Sequence, residues 1–174
     1  MAHVIEPASS GRAKCRGCGQ PIQRGELRLG ERQPNPFAEG EMTLWFHPSC
    51  AAYKRPESLL QALAETQADV PARDDLERNA RRMLEHRRLP RIDGAERAPT
   101  SQAKCRHCHE PIERGTWRIR LVFFQDGRFD PGGFLHLGCR AAYFERDDIA
   151  DPVLHFSRTL SDTDRAELER ALTA

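Results

Sequence analysis

One ligand pattern, written twice, constrains this chain more than any other feature. Cys15-x-x-Cys18 is followed, after 28 residues, by His47-x-x-Cys50. Cys105-x-x-Cys108 is followed, after 27 residues, by His136-x-x-Cys139. No cysteine is left over. Zinc takes four ligands in a tetrahedron and prefers thiolates and imidazoles. A C-x-x-C pair closes on one metal across a tight turn. His-x-x-Cys fits the first turn of a helix, where residues three apart share a face, and Pro48 suits the start of such a helix. Each copy therefore offers a closed Cys3His set, as structural zinc sites do, whereas a catalytic zinc keeps a position open. An even number of cysteines also fits disulfides in a secreted protein. Residues 1–6 lack the charged and then apolar run of a secretory signal, so reduced thiols and two Zn2+ ions are expected.

The duplication extends beyond the ligands. Residues 13–25 and 103–115 share the frame Ala-Lys-Cys-Arg-x-Cys-x-x-Pro-Ile-x-Arg-Gly. Leu27-Arg28-Leu29 answers Trp117-Arg118-Ile119, and Ala-Ala-Tyr follows each His-x-x-Cys, at 51–53 and 141–143. A repeat of about 90 residues is too long for a solenoid unit and reads as two domains. Between them, residues 57–67 are helix-permissive, with Leu59, Leu60 and Leu63 at helical spacing. A second helix is expected after Pro71, with Leu76, Ala80, Met83 and Leu84 on one stripe. Ser161 to Asp164 resembles a capping box before Leu168, Ala171 and Leu172. The expected architecture is α+β, two small zinc-stabilised fingers, each a short antiparallel sheet with helices. Residues 1–90 form the first finger with its helices, 91–100 (with Gly94 and Pro99) the linker, and 101–174 the second finger with a C-terminal helix. Segments this small need the metal as a staple. His107 and His109 flank Cys108 without counterparts at Gly17 and Gly19, and read as exposed.

Lys and Arg number 27 against 26 Asp and Glu, so the chain is not a generally basic nucleic-acid coat. No apolar run approaches the roughly 20 residues of a membrane helix, and no membrane partner is expected. Paired carboxylates beside a nucleophile, a phosphate-binding glycine loop and an open metal position are all absent from the sequence, so no enzyme activity is expected.

C-x2-C, a long spacer and H-x2-C resemble the zinc finger of poly(ADP-ribose) polymerases and DNA ligase III. Ser10-Gly11-Arg12-Ala13-Lys14-Cys15 is similar to that family's lead into its first ligand. Leu27-Arg28 resembles its Leu-Arg strand, Trp45-Phe46-His47 its Trp-aromatic-His, and Phe156-Ser157 to Leu172 the segment that follows its fingers. The likeness covers most of residues 9–55 and 100–145 together with that tail. It does not extend to the family's catalytic domain.

The resemblance implies recognition of DNA strand breaks, read as structure rather than sequence. Arginines hold phosphates, and apolar side chains cover bases exposed where the stack opens. It assigns phosphate contacts to Arg12, Arg28, Arg118 and Arg120. Base stacking falls to Phe37 and Met42 in the first finger and to Phe124 or Phe129 in the second. Gln102 stands where Arg12 does, and Phe134 replaces the Trp, so the fingers are unequal. Residues 1–56 hold eight Lys or Arg against five Asp or Glu, and residues 101–150 hold eight against seven. A few aimed arginines, rather than bulk charge, must then carry the grip. The expected partner is nicked or otherwise damaged duplex DNA in repair, with a repair enzyme as second partner and a cytoplasmic or nucleoid location, nuclear in a eukaryote. The competing expectation is a zinc-stabilised adaptor that recruits a repair enzyme.

Overall fold

The computed structural model describes residues 2–174. The chain divides into two compact units. The first runs to Pro90 and takes in Phe124–Phe129; the second comprises Arg91–Phe123 and Asp130–Ala174.

In the first unit, β1 (Val4–Pro7), β2 (Leu27–Pro34) and β3 (Glu41–Phe46) form an antiparallel sheet with β2 in the centre. Side chains alternate across a strand, so each strand serves two faces. Ile5, Leu29 and Phe46 stand opposite one another and are buried, with Leu44 on the same face. The other face carries Glu6, Arg28, Gly30 and Trp45. Gly30 leaves room there for the Trp45 ring, which a Cβ at that position would meet at 2.7 Å.

Helices α1 (Pro48–Lys54), α2 (Pro56–Glu65) and α3 (Arg73–Met83) follow. Proline opens α1 and α2, where its missing N–H costs nothing. Leu59, Ala62, Leu63, Leu76, Ala80 and Met83 recur at helical spacing and are buried. The helix expected over 57–67 ends at Glu65, and α3 starts two residues beyond Pro71. Glu31, on the apolar face of β2, is buried at 1% exposure. Arg55, at the α1–α2 junction, donates to it through Nε and Nη2, and Ser58 Oγ and Gln33 Nε2 each donate at 2.7 Å.

The second unit repeats the sheet with β4 (Ile92–Arg97), β5 (Trp117–Gln125) and β6 (Arg128–His136). A 3-10 turn, Leu137–Cys139, leads into α4 (Arg140–Phe144), and α5 (Ala150–His155) and α6 (Asp162–Thr173) complete it. Ser161 caps α6, its Oγ accepting the Asp164 N–H at 3.1 Å.

The expected linker over 91–100 is corrected by β4. Ile92 to Arg97 pairs with β5, with a register shift between Ile92 and Ala95. Gly94 marks that irregularity, at φ +90, and a Cβ there would stand 2.4 Å from the Phe156 carbonyl oxygen. A glycine that reads as a chain break is thus a bulge where another backbone comes close. Ser157 fastens the same place, accepting the Ala95 N–H at 2.9 Å and donating to the Val153 carbonyl at 2.6 Å.

Candidate metal centres and the surfaces beside them

Each C-x-x-C turn is built by the same hydrogen bonds. The Cys15 N–H donates to Gln20 and the Cys105 N–H to Glu110, at 2.8 and 2.9 Å. Gly19 N–H returns to Cys15 and His109 N–H to Cys105, at 2.8 and 2.9 Å. Both closing residues take positive φ, 75° for Gly19 and 64° for His109, which is the left-handed conformation the turn demands. Arg16 N–H donates to the Trp45 carbonyl and Arg106 N–H to the Phe134 carbonyl, both at 2.9 Å, tying each turn to the last strand of its sheet. The His47 and His136 amides donate to Cys15 and Cys105 Sγ at 3.3 and 3.4 Å.

The result is two clusters, Cys15-Cys18-His47-Cys50 and Cys105-Cys108-His136-Cys139, whose donor atoms all lie within 4.8 Å of one another in each. Three thiols and one imidazole in that compass fit one zinc ion each. Nδ1 is the imidazole donor, 3.4 Å from Cys18 Sγ in the first cluster and 3.3 Å from Cys108 Sγ in the second. His136 Nε2 donates to the Pro111 carbonyl at 3.0 Å, which fixes the tautomer and turns the bare Nδ1 to the metal. His47 Nε2 has Glu26 Oε2 at 3.7 Å instead.

The clusters differ in depth. Cys15 and Cys50 are sealed, at 1% and 0% exposure. In the second, Cys105 is buried, Cys108 is exposed, and His136 and Cys139 are half-buried. Gly17 is buried, and a Cβ there would stand 2.8 Å from Cys50 Cβ. Its counterpart His107 is exposed, as is His109.

Crowded thiols share protons. Cys15 is held down to about 3, first by the hydrogen bond from Cys50, and Cys18 to about 6 for the same reason. Cys50 is driven up by its bonds to those two sulfurs. His47 rises to about 9, chiefly through its bond to the Cys15 thiolate. In the second cluster, burial opposes ionisation of Cys105 but backbone amides outweigh it, giving about 7. Burial and then Cys105 push Cys139 up to about 12. Zinc, by ionising all three thiols, displaces protons from each cluster.

The arginines singled out from sequence fall into two groups. Arg12 is exposed, and its side chain has no partner among the described residues. Arg28 and Arg118 are each buried, at 6% exposure. Arg28 donates to Glu6 at 2.9 Å and stacks on Trp45; Arg118 donates to Glu96 at 2.6 Å and stacks on Phe134, 3.5 Å above the ring centroid in both cases. Arg120 clasps the β4 bulge, donating to the carbonyls of Asp93 and Phe156.

The apolar candidates also divide. Phe37, in the β2–β3 connection, is 80% exposed. Its N–H donates to Asn35 Oδ1 at 2.9 Å, an Asx turn that lifts the residue clear of the sheet. Met42 is half-buried, and a Cβ at Gly127 would meet its Cε. Phe124 and Phe129 are half-buried in contacts of the first unit. Arg55 stacks on Phe124 at 3.8 Å, Lys54 lies over Phe129 at 4.9 Å, and Phe129 meets buried Phe46 edge-on at 6.2 Å.

Sequence reading missed Glu6 and Glu96, the partners of the buried arginines. Both stand 22 residues before their arginine, at the same 90-residue offset that relates Cys15 to Cys105. Extending the repeat upstream of the ligands would have found them.

Residues 6–87 match the family model described as the poly(ADP-ribose) polymerase and DNA-ligase Zn-finger region. The chain is similar to poly [ADP-ribose] polymerase 1 of Oryza sativa subsp. japonica, 26% identical over 79% of this chain and 14% of that protein. It is similar to poly [ADP-ribose] polymerase of Drosophila melanogaster, 27% identical over 71% of this chain and 14% of that protein. A shorter match, 38% identical over 29% of this chain and 5% of the relative, is to poly [ADP-ribose] polymerase 1 of Caenorhabditis elegans. The chain thus spans about 14% of the length of the first two relatives.

Proposed function

We propose that this protein binds DNA at strand breaks, through two zinc fingers of one kind, and acts in DNA repair without catalysing a reaction itself. The observation that carries the reading is Phe37, an aromatic ring 80% exposed in a connection of the zinc-bearing first unit. A flat apolar side chain held in water suits a base face laid open where a duplex stack is interrupted, and such stacking is indifferent to base identity. Exposed Arg12 supplies charge, and the match of residues 6–87 to the poly(ADP-ribose) polymerase and DNA-ligase Zn-finger region agrees with a nucleic-acid partner. With that partner we propose a cytoplasmic or nucleoid location, nuclear in a eukaryote.

The test is the affinity of the zinc-loaded chain for a nicked duplex and for the same duplex intact, at near-physiological salt. Preference for the nick that is lost in Phe37→Ala bears the reading out. Equal, weak binding to both refutes it.

One observation favours the adaptor reading as the second choice. Leu84 is the other large exposed hydrophobic side chain among the described residues, at 45%, and it borders a groove of about 390 Å3 with Met83, Pro56 and Pro90. Capture of a repair enzyme that Leu84→Glu abolishes, with no duplex binding, would establish that role instead.

A further inference from the structure

Phe37 and Leu84, the large hydrophobic side chains exposed among the described residues, belong to surfaces of opposite charge. Phe37 tips the β2–β3 connection. Asn35 N–H donates to the Gly40 carbonyl at 3.0 Å and closes that connection, while Phe37 N–H donates to Asn35 Oδ1. Pro34 and Pro36 stiffen its approach. Glu39 and Glu41, two and four residues on, are exposed, and neither carboxylate has a partner among the described residues. Residues 33–42 contain no Lys or Arg. The connection is a preformed acidic knob with an aromatic tip.

Leu84 lies just past α3, on the groove of about 390 Å3 whose apolar lining it shares with Met83, Pro56 and Pro90. Met83 is 1% exposed and Leu84 45%, so that lining runs from the core to the rim. Lys54, Arg55, Arg87 and Glu57 supply the charges of the groove. Arg55 is committed to Glu31 and to the Phe124 ring. Lys54 and Arg87 then face the single acid Glu57. Arg87 is exposed, and its side chain has no partner among the described residues. The groove is a basic socket with an apolar lining.

Within one chain the knob is not in the socket, because Phe37 is 80% exposed. A second copy presents the complementary surface. Covering Phe37 and Leu84 together removes apolar area from water. Glu39 and Glu41 against Lys54 and Arg87 set the orientation. The closed connection has little freedom left to lose on docking.

We propose that the groove receives the Phe37 connection of a second copy of this chain. Knob and socket are different surfaces, so the contact either closes into a reciprocal pair or extends into longer assemblies. Residues 35–41 in a groove of this size bury less than the roughly 1,200 Å2 of a stable interface, so association is weak and depends on concentration. The self-docking does not need DNA. One consequence rests on the DNA-binding reading above: Phe37 cannot fill the groove and cover a base at once, so a nicked duplex competes with the second copy.

The experiment is sedimentation velocity of the zinc-loaded full chain from about 1 μM to about 1 mM, after zinc content and thermal stability of each variant are measured. The mass of the unmodified chain is expected to rise with concentration, and less so at high salt. Phe37→Ala and Leu84→Glu are each expected to stay monomeric, and Arg87→Glu to associate about tenfold more weakly. Mixing Phe37→Ala with Leu84→Glu is expected to restore association, because one supplies the groove and the other the knob. A monomeric unmodified chain throughout the range leaves the groove to a different protein and overturns the proposal. So does association that persists in both single variants, or that mixing fails to restore. Added nicked duplex is expected to dissolve the assembly. Duplex binding without dissolution overturns the competition, and absence of duplex binding by a self-associating chain refutes the DNA reading alone.

Discussion

Arg28 lies over Trp45, its guanidinium carbon 3.5 Å from the ring centroid, while Nη2 donates to Glu6 at 2.9 Å. The arginine is 6% exposed, and its Nε makes no hydrogen bond among the described residues. Three strands meet in this arrangement: Glu6 on β1, Arg28 on β2 and Trp45 on β3. It therefore pins the sheet that carries the zinc turn. Arg28→Lys keeps the charge but loses the planar stack, and should destabilise the zinc-loaded protein by about 1 kcal/mol. Urea unfolding checks this. Arg118→Lys, above Phe134, should cost less, because a phenyl ring attracts a cation less strongly than an indole does.

The two metal centres should release zinc at different rates. Water and chelator reach Cys108 directly, whereas Cys15 and Cys50 are sealed. A colorimetric chelator added to the protein with two zinc ions should show two phases of equal amplitude. In Cys108→Ser the fast phase should vanish and one slowly released ion remain. A single phase in the unmodified protein would mean that burial does not govern release.

Zinc binding should acidify the solution. His47, raised to about 9, and Cys50, driven up by Cys15 and Cys18, both carry protons at pH 7 in the metal-free first cluster. Zinc requires both to be lost, so that cluster should release about two protons there. Above pH 9 His47 is already neutral, and release should fall toward one. Acid favours the protonated ligands, so zinc affinity should fall as pH drops. A pH indicator in weak buffer, with the chain carrying Cys105→Ala and Cys108→Ala, measures the first cluster alone.

Gly94 and Gly19 separate crowding from conformation. Both have positive φ, but a Cβ at Gly94 collides with the Phe156 carbonyl while one at Gly19 meets nothing within 4 Å. Gly19→Ala should cost about 1 kcal/mol, the conformational penalty alone. Gly94→Ala adds displacement of α5 and should cost about 3 kcal/mol or more. Thermal unfolding of the zinc-loaded variants ranks them.

Glu31 tests the helical side of the first unit. Its buried carboxylate holds Arg55, Ser58 and Gln33 together. Glu31→Gln leaves the Arg55 guanidinium without its counter-charge, and breaking a buried pair from one side costs about 3 kcal/mol. Arg55 is partly exposed, so the cost should lie at or below that figure, read as a shift in urea midpoint.

The ligand spacing alone determined both metal centres. Cysteines three residues apart, and a histidine three residues before a cysteine, carry their geometry in the local chain, and duplication excludes chance. The helix starts at Pro48 and Ser161 were legible for the same reason, since capping is local. Only the tertiary structure decided what lay between. Ile92 to Arg97 has too little pattern of its own to read as a strand; it becomes one because β5 offers it a partner and α5 closes over Gly94. That Arg28 and Arg118 are buried was decided only when β1 and β4 brought Glu6 and Glu96 to them and an aromatic ring came to lie beneath each. Phe124 and Phe129 share their residue type with Phe37, yet they are packed and it is not. Burial and ion pairing depend on residues distant in sequence, whereas a zinc turn and a helix cap are completed by their own neighbours.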